Sequence, residues 1–264
     1  MLEVKNLSIS FQRYGRWLSR KTLNPIRSLN LSLKKGQVIA VVGESGAGKS
    51  LLAHAILGLL PKNAVVNGKI TFNGERLTPE KSRRLRGKEI ALIPQSVSFL
   101  NPLWSVGGQV CRAAVLSGMK PSAARHAMQK AFDRYRLGSQ VQSLLPFQIS
   151  GGMARRVMTA AAVVGNARLI IADEPTTGLD EKNITQSLDY LKHLARKGKA
   201  VMLITHDIAA ALHIADTVAV FKNGTTVEIA NASDFDHPEK LSDPYSRQLY
   251  DTLPQRAFIN ALKD

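Results

Sequence analysis

The sequence predicts an α/β fold in which short buried strands are followed by loops and helices. Residues 38–42 form an apolar, β-branched run, a glycine-rich loop follows them, and residues 51–57 then suit a helix that ends before Pro61. Residues 169–172 and 201–204 are two further apolar runs of strand length, and each precedes a helical pattern. Continuous apolar runs of this kind are typical of parallel strands buried on both faces.

The first ninety residues add the strands that flank this core. Residues 2–11 alternate apolar and polar side chains, as an exposed sheet edge does, and residues 29–33 alternate in the same way. The basic segment 12–24 is predicted to be a loop. Residues 69–72 form a strand that leads into the turn Asn73-Gly74, and residues 90–93 form a short apolar run that ends at Pro94.

From about residue 106 to residue 165 the pattern becomes helical. Pro121 begins a helix that is predicted to run through Arg136, and another helix follows Ser150. The core then resumes, with a helix over about 181–196 and a short one after Asp207. Residues 218–221 and 225–229 flank Asn223-Gly224, a strong hairpin signal, and the tail from residue 233 predicts turns and short helices.

Composition limits the classes of protein that fit. The chain has 264 residues with 44% hydrophobic content, enough for one large domain or two lobes. We expect no transmembrane span, because the apolar runs are far shorter than about 20 residues, and no secretory signal, because no apolar stretch follows the N-terminus. Cys111 is the single cysteine, so an intrachain disulfide is excluded and a reduced, cytoplasmic setting is expected.

The formal net charge of +16 requires a partner or a solvated surface to account for it. Nucleic acid, an anionic membrane face and a generic solvated surface are the three candidates. The cations are concentrated between Arg13 and Arg27 and over residues 81–88, where aromatic residues rarely interleave. This arrangement weakens the case for a single-strand stacking platform.

The glycine-rich loop carries the clearest chemistry. Its spacing from Gly43 to Lys49 and Ser50 is that of a phosphate-binding loop, placed between a strand and a helix. Backbone N–H groups and the positive end of the helix would bind phosphate oxygens. Lys49 would reach the β- and γ-phosphates, and the Ser50 hydroxyl would ligate Mg²⁺. We therefore predict a nucleoside triphosphate site.

Four further residues fit such a site. Asp173 ends an apolar strand, where an ATPase places the acid that holds the Mg²⁺ shell, and Glu174 could polarise a water for attack on the γ-phosphate. Gln95 follows another strand and offers an amide for Mg²⁺ or water. His206, just after the strand at 201–204, could donate a hydrogen bond to a γ-phosphate.

A second anion site is predicted where Ser150, Gly151 and Gly152 begin a helix. Together with the phosphate loop, Gln95, Asp173-Glu174, residues 177–180 and His206, this segment resembles the ATP-binding cassette (ABC) ATPases over roughly residues 1–230. The resemblance implies a P-loop NTPase fold with a RecA-like core, an antiparallel β portion and an inserted α-helical subdomain. The implied limits are residues 1–232 for the cassette, about 97–166 for the helical subdomain and 233–264 for a C-terminal extension.

In this family two cassettes pair head to tail, so each ATP lies between one phosphate loop and the partner's signature motif. The resemblance implies that Glu174 is the catalytic base and His206 the switch histidine, that Ser50, Gln95 and Asp173 serve Mg²⁺, and that Asp180 lies in the loop joining the two ATP sites. Phe11 resembles the aromatic that stacks on adenine, with Tyr14 as the second candidate. The residues implied to bind ATP are Phe11, Gly43, Glu44, Ser45, Gly46, Ala47, Gly48, Lys49, Ser50, Leu51, Gln95, Ser150, Gly151 and Gly152.

The signature departs from the family pattern Leu-Ser-Gly-Gly-Gln at its two outer positions. Ile149 replaces Leu, which is a mild change, and Met153 replaces Gln and cannot make the hydrogen bonds of the amide. The Ser-Gly-Gly anion site is intact, so we expect hydrolysis to survive.

The branch of the family is indicated by segments outside these motifs. The basic insertion after Phe11, residues 98–102 and residues 243–249 resemble the peptide/nickel class of importers. The Ser-Gly-Gly-Met sequence is similar to cassettes of the nickel and metallophore subgroup, and Cys111 alone excludes the cysteine cluster of some peptide-transporting members. The resemblance therefore favours import of nickel or a metal chelate, with di- or oligopeptide import as the alternative.

Two other function classes fit single features of the sequence. The net positive charge would suit a nucleic-acid-linked cassette, and the altered signature would suit a non-hydrolysing regulatory cassette. Coiled coils, zinc modules and a second cassette are missing from the sequence, while Lys49, Asp173, Glu174 and His206 are intact, so both are disfavoured. The resemblance implies ATP and Mg²⁺ as cofactors, two permease subunits, a second cassette (a sister subunit or another copy) and a solute-binding protein as partners. It also implies a peripheral location on the cytoplasmic face of the inner membrane, with no nucleic acid.

Overall fold

The computed structural model describes residues 1–14 and 20–253, and it confirms the predicted α/β fold. The chain divides into two compact units: the first combines Met1–Ser82 with Leu191–Asp264, and the second is Arg83–Tyr190. No helix within the described ranges is long and apolar enough to cross a bilayer.

Strands and helices alternate along much of the chain, and their residue ranges are as follows. The strands are β1 (Leu2–Tyr14), β2 (Arg20–Leu33), β3 (Val38–Gly43), β4 (Ala64–Phe72), β5 (Glu75–Arg76), β6 (Ile90–Ile93), β7 (Leu169–Asp173), β8 (Ala200–Ile204), β9 (Thr217–Lys222) and β10 (Thr225–Asn231). The helices are α1 (Lys49–Ile56), α2 (Pro79–Leu85), α3 (Val106–Leu116), α4 (Pro121–Arg134), α5 (Gly151–Val163), α6 (Glu181–Arg196), α7 (Ile208–Ile214) and α8 (Pro244–Asp251).

The first unit is built on strands in the order β5-β4-β1-β2-β10-β9-β3-β8. At its centre β3 pairs in parallel with both β8 and β9, and every residue of β3 and β8 is buried. This burial explains why the two sequences read as unbroken apolar runs. The phosphate loop therefore leaves a strand that is fixed on both edges.

The N-terminal strands are longer than predicted. β1 runs to Tyr14 and β2 begins at Arg20, and the two pair in antiparallel fashion, so the prediction of a loop over residues 12–24 was wrong at both ends. Gln12 lies opposite Thr22, and its carbonyl accepts a hydrogen bond from the Asn63 side chain. Cross-strand pairing holds residues 12–14 and 20–23 extended, although the sequence of residues 12–24 gives no alternation that could reveal a strand.

The predicted hairpin is confirmed. β9 and β10 pair in antiparallel fashion, and Thr225 lies opposite Lys222 across the turn. Asn223 and Gly224 have φ values of 49° and 75°. Positive φ at both central residues is the geometry of a type I′ turn, which Asn-Gly adopts with little strain.

The second unit combines one parallel strand pair with helices. β6 pairs with β7, from Ile90 opposite Leu169 to Ile93 opposite Ala172. Helices α3, α4 and α5 share a buried core that includes Val110, Phe132 and Val157. α4 ends at Arg134, two residues earlier than predicted, because Arg136 adopts a φ of 51° that a right-handed helix cannot contain.

The C-terminal segment folds back on the first unit. Phe235, Leu241 and Tyr245 are buried in one cluster with Val42 of β3 and Val220 of β9. Short 3₁₀ turns at Ala232–Asp236 and Pro238–Lys240 precede α8, as the proline-containing tail predicted. The predicted turns beyond residue 253 lie outside the described residues.

Candidate functional site

The glycine-rich loop follows β3 and passes into α1. Gly43, the last residue of β3, pairs with Phe221 of β9 and has a φ of 145°. A Cβ at Gly43 would lie 2.0 Å from the Phe221 carbonyl oxygen, whereas a Cβ at Gly46 (φ 86°) would meet nothing within 4 Å. The first glycine thus permits close packing of two strands, and the second leaves open space inside the loop.

Lys49 is held by the loop that it follows. Its Nζ donates hydrogen bonds to the carbonyl oxygens of Gly43 (2.7 Å) and Glu44 (2.9 Å), and only 8% of the residue is exposed. α1 begins at Lys49 after a left-handed Gly48, and no side chain of the described residues caps its first N–H groups. A buried cation beside an uncapped helix N-terminus is suited to binding phosphate.

His206, another predicted residue of the first unit, is placed by the strands of that unit. β3 and β8 run in parallel with Val41 opposite Ile204, so the glycine loop and the exposed His206 leave the same end of this strand pair. Next to His206, Asp207 caps α7 by accepting a hydrogen bond from the Ala210 N–H (3.1 Å).

Phe11, the predicted adenine contact, is half-buried in β1, opposite Leu23 of β2 and Ala64 of β4. The side chain of Tyr14, the second candidate, lies outside the described residues. The position of Phe11 on a paired strand gives its ring a fixed support.

The predicted carboxylates lie in the second unit at the end of β7. Asp173 is 6% exposed and Glu174 is 7% exposed. Glu174 also has a φ of 47°, and its carbonyl oxygen accepts a hydrogen bond from Arg155 Nη1 (3.4 Å). A left-handed conformation costs a non-glycine residue about 1–2 kcal/mol, and such strain is concentrated at functional sites.

Gln95 lies at the same end of the strand pair as these carboxylates. β6 and β7 run in parallel with Ile93 opposite Ala172, and Gln95 follows two residues after Ile93. The side chain of Gln95 is exposed, while those of Asp173 and Glu174 are buried. The strand register therefore brings these three predicted residues to one edge of the second unit.

The predicted signature segment begins α5. The Ser150 hydroxyl accepts a hydrogen bond from the Met153 N–H (3.2 Å), and Cβ atoms at Gly151 and Gly152 would meet nothing within 4 Å. Ile149 and Met153, which depart from the family pattern, pack against the core of α3–α5. The departures thus contribute to packing inside the unit, and the helix N-terminus itself is open.

Asp180 caps the next helix. Its carboxylate accepts hydrogen bonds from the Asn183 N–H (3.0 Å) and from the Asn183 side-chain amide (2.6 Å), which hold the pKa of Asp180 below its ordinary value. Asp180 therefore stays ionised and fixes the start of α6.

Tyr245 is a contact of the phosphate loop that sequence reasoning missed. It is 8% exposed, packs against the β3–β9 cluster and lies under Lys222 Nζ, which is 4.4 Å from the ring centroid. Burial and the charge of Glu44 raise the pKa of the Tyr245 phenol, which also makes a hydrogen bond with the Glu44 backbone. The Pro244-Tyr245 pair marked the C-terminal extension in the sequence, but nothing there indicated contact with the loop.

The residues predicted for Mg²⁺ offer a hydroxyl, an amide oxygen and a carboxylate, from Ser50, Gln95 and Asp173. Oxygen donors of this kind suit Mg²⁺, which keeps several waters and binds substrate phosphates beside one or two protein groups. No cluster of three His, Cys, Asp or Glu side chains in the described ranges is arranged to hold a metal ion.

Comparisons with known proteins agree with this arrangement. Residues 26–177, more than half of the chain, match the family model described as ABC transporter. The chain is 36% identical to the dipeptide transport ATP-binding protein DppD of Bacillus subtilis, over 97% of this chain and 77% of that protein. It is 35% identical to the oligopeptide transport ATP-binding protein OppD of Escherichia coli, over 97% of this chain and 76% of that protein.

Solved structures show the same fold. The dimer of the ATP-binding cassette MJ0796 in a post-hydrolysis state, bound to ADP and Pi, matches with a TM-score of 0.78 and 25% identity, over 88% of this chain and 99% of that one. A structure described as the ATP binding subunit of an ABC transporter matches with a TM-score of 0.76 and 28% identity, over 95% of this chain and 98% of that one. The chain belongs to the ATP-binding subunits of ABC transporters, in the peptide/nickel importer class, whose family members hydrolyse ATP to power transport.

Proposed function

We propose that this chain is the ATP-hydrolysing subunit of an importer for di- or oligopeptides. The observation that carries the proposal is its 35–36% identity, over 97% of its length, to ATP-binding proteins named for dipeptide and oligopeptide transport. The sequence favoured nickel or a metal chelate on the strength of Ser-Gly-Gly-Met, and the relatives do not support that preference. Met153 packs against the helical core, so its identity has a structural explanation that is independent of the cargo.

We assign the chemistry to residues of both units. The loop from Gly43 to Ser50, continued by Leu51, binds the phosphates of ATP, and Lys49 neutralises charge on the β- and γ-phosphates. Phe11 stacks on adenine. Ser50, Gln95 and Asp173 would hold Mg²⁺, which would neutralise negative charge on the phosphates when bound.

Glu174 orients the attacking water and accepts its proton, and His206 donates a hydrogen bond to the γ-phosphate. The burial of Glu174 and its strained backbone support a role that depends on a fixed position. Ser150, Gly151 and Gly152 bind the ATP held by a second cassette, and the open space around the two glycines suits a ligand approaching from outside. Asp180 fixes the loop that joins the two ATP sites.

The segment after Gln95 is our proposed contact with the permeases. Its large apolar side chains are exposed: Phe99 by 64%, Leu103 by 82% and Trp104 by 52%. Leu103 and Trp104 border a groove that also includes Arg112 and Arg125. Exposed apolar surface with a polar rim is typical of protein contact sites.

The proposed assembly has two permeases, two cassettes and an extracytoplasmic solute-binding protein, on the cytoplasmic face of the inner membrane. The net charge of +16 then has a physical explanation, since anionic lipids of the inner leaflet attract basic surfaces. No role in nucleic-acid binding is required. The second cassette is either another copy of this chain or a sister subunit.

Uptake by the reconstituted transporter tests the substrate. Proteoliposomes that contain this chain, its permeases and the binding protein should accumulate a labelled tripeptide only when ATP is present. Labelled nickel, alone or as a histidine chelate, serves as the competing substrate, and Glu174→Gln supplies the matched inactive complex. Uptake of nickel without uptake of peptides would contradict the peptide assignment and leave the ATPase assignment intact.

A further inference from the structure

A strongly basic cavity lies in the second unit, among the end of α4, the first half of α5 and the first half of α6. Its volume is about 610 Å³, within the range of about 300–1,000 Å³ that is common for small-molecule pockets. Within the described part of the chain, its wall has one carboxylate, Asp189, and five cationic side chains: Arg134, Arg136, Arg155, Arg156 and Lys182. The cavity is not lined by any residue that we assign to ATP.

A buried polar group in the wall lacks a hydrogen-bond partner. Arg156 Nε is buried, and none of the described residues forms a hydrogen bond with it. Most buried polar groups in proteins are paired, so this orphaned N–H needs an explanation. A bound ligand with acceptor oxygens would supply a partner.

The rim holds an arginine in an unfavourable conformation. Arg136 follows the C-cap of α4 with a φ of 51°, its N–H donates to the Asp133 carbonyl (3.1 Å), and the Leu137 N–H donates to the Phe132 carbonyl (2.9 Å). This pattern is a Schellman motif, in which glycine or asparagine normally occupies the left-handed position. Arginine adds backbone strain at this position, and it places an exposed cation beside the cavity.

A second arginine of the rim is already oriented. Arg134 Nη1 donates to the Tyr190 hydroxyl (3.2 Å), and its guanidinium carbon lies 5.7 Å from the centroid of the Tyr190 ring. That ring packs edge-to-face on Tyr135, with centroids 5.2 Å apart. Pre-positioned guanidinium groups lose little entropy when they bind an anion.

We propose that this cavity binds the phosphate group of a small soluble metabolite. Four guanidinium groups around one concave site suit a ligand with several anionic oxygens, because each can form a bidentate pair. Because Arg156 Nε is buried, it favours a small ligand that enters the cavity. A flat surface that lies across the rim fits this buried group less well. The proposal concerns a site separate from the phosphate loop and depends on neither ATP hydrolysis nor the transported substrate.

Calorimetric titration with inorganic pyrophosphate tests the proposal. The titration uses the full chain carrying Lys49→Ala, which weakens phosphate binding at the glycine loop. We expect one pyrophosphate per chain, and we expect Arg136→Gly in the same background to weaken binding about tenfold, as loss of one charge-assisted hydrogen bond does. Arg84→Gln, an exposed cation on α2, is the matched control and should leave the affinity unchanged.

Loss of folding cannot imitate this result, because Arg136→Gly places glycine where the backbone favours it and should melt no lower than its parent. Absence of binding in the Lys49→Ala chain would overturn the proposal. Equal affinity with and without Arg136 would also overturn it. Binding to phosphatidylglycerol vesicles without any binding of pyrophosphate would replace the soluble ligand with a lipid headgroup and so contradict it.

Discussion

Alanine substitution of two loop glycines should give two different defects. Gly43→Ala places a methyl group 2.0 Å from the Phe221 carbonyl oxygen, at a φ of 145°. Gly46→Ala places one in open space, at a φ of 86°. The first substitution therefore forces β3 away from β9, and the second changes only the loop.

The size of each effect follows from these contacts. Gly43→Ala combines overpacking of about 1–3 kcal/mol with backbone strain of about 1–3 kcal/mol, so we expect a loss of about 3 kcal/mol or more in the free energy of unfolding. At about 2–4 °C per kcal/mol for a chain of this size, the melting temperature should fall by about 6–12 °C. Gly46→Ala adds only backbone strain of about 1 kcal/mol, so it should lower the melting temperature by about 2–4 °C.

Thermal unfolding without nucleotide, followed by circular dichroism, measures the loss of stability in each variant. Binding of a fluorescent ATP analogue measures the defect in the loop. Gly46→Ala should lose this binding while it remains folded at the assay temperature. Equal melting temperatures for the two variants would refute the argument, because the contact with Phe221 would then contribute nothing.

Three further changes test other contacts. Tyr245→Phe removes the hydrogen bond to the Glu44 backbone. At about 1 kcal/mol per bond, we expect up to about fivefold weaker ATP binding in a fluorescence titration. Unchanged affinity would mean that Tyr245 contributes packing alone. Burial alone would raise the pKa of Glu228, but the Ser246 hydroxyl and the hydrogen bonds from the Ser242 N–H (2.6 Å) and Oγ (2.7 Å) outweigh it and lower that pKa from 4.5. The ionised Glu228 therefore stabilises the fold above pH 4.5, and this contribution is lost as the pH falls through the lowered pKa. Glu228→Gln should melt below wild type at pH 7, with a gap that narrows in acid; a gap that is constant with pH would contradict this. Arg136→Gly should raise the free energy of unfolding by about 1 kcal/mol, measured by urea denaturation, and a decrease would show that Arg136 makes a stabilising contact.

Local sequence patterns were sufficient for the strands of the core and for the glycine loop. β3 and β8 are buried on both faces, so their sequences carry an unbroken apolar signal. The hairpin at Asn223-Gly224 was predictable for a different reason, since its turn needs positive φ at both central positions. In these segments the local signal and the tertiary structure agree.

Features set by distant contacts were not predictable. The polar ends of β1 and β2 are held by cross-strand pairing, and their sequences carry no alternation of apolar and polar residues that would reveal a strand. Tyr245 reaches Glu44 from about two hundred residues away in the chain. Arg136 occupies a position where a helix normally ends in glycine, so the end of α4 carried no signal.

The signature segment shows how a motif can indicate chemistry without indicating cargo. Ser150, Gly151 and Gly152 form the open N-terminus of α5, as their sequence predicted. Met153, which had favoured nickel, is packed against the core of α3–α5. A side chain that is constrained by packing carries little information about what the transporter moves.

The central claim is that buried Glu174 activates water for ATP hydrolysis between two cassettes. The most direct measurement compares wild type and Glu174→Gln in the complex with the permeases, by phosphate release and by sedimentation of the cassettes with Mg·ATP. Loss of a general base should lower the rate by about 10²–10⁴-fold, and the variant should accumulate as an ATP-bound dimer. A variant that hydrolyses ATP as fast as wild type would contradict the account.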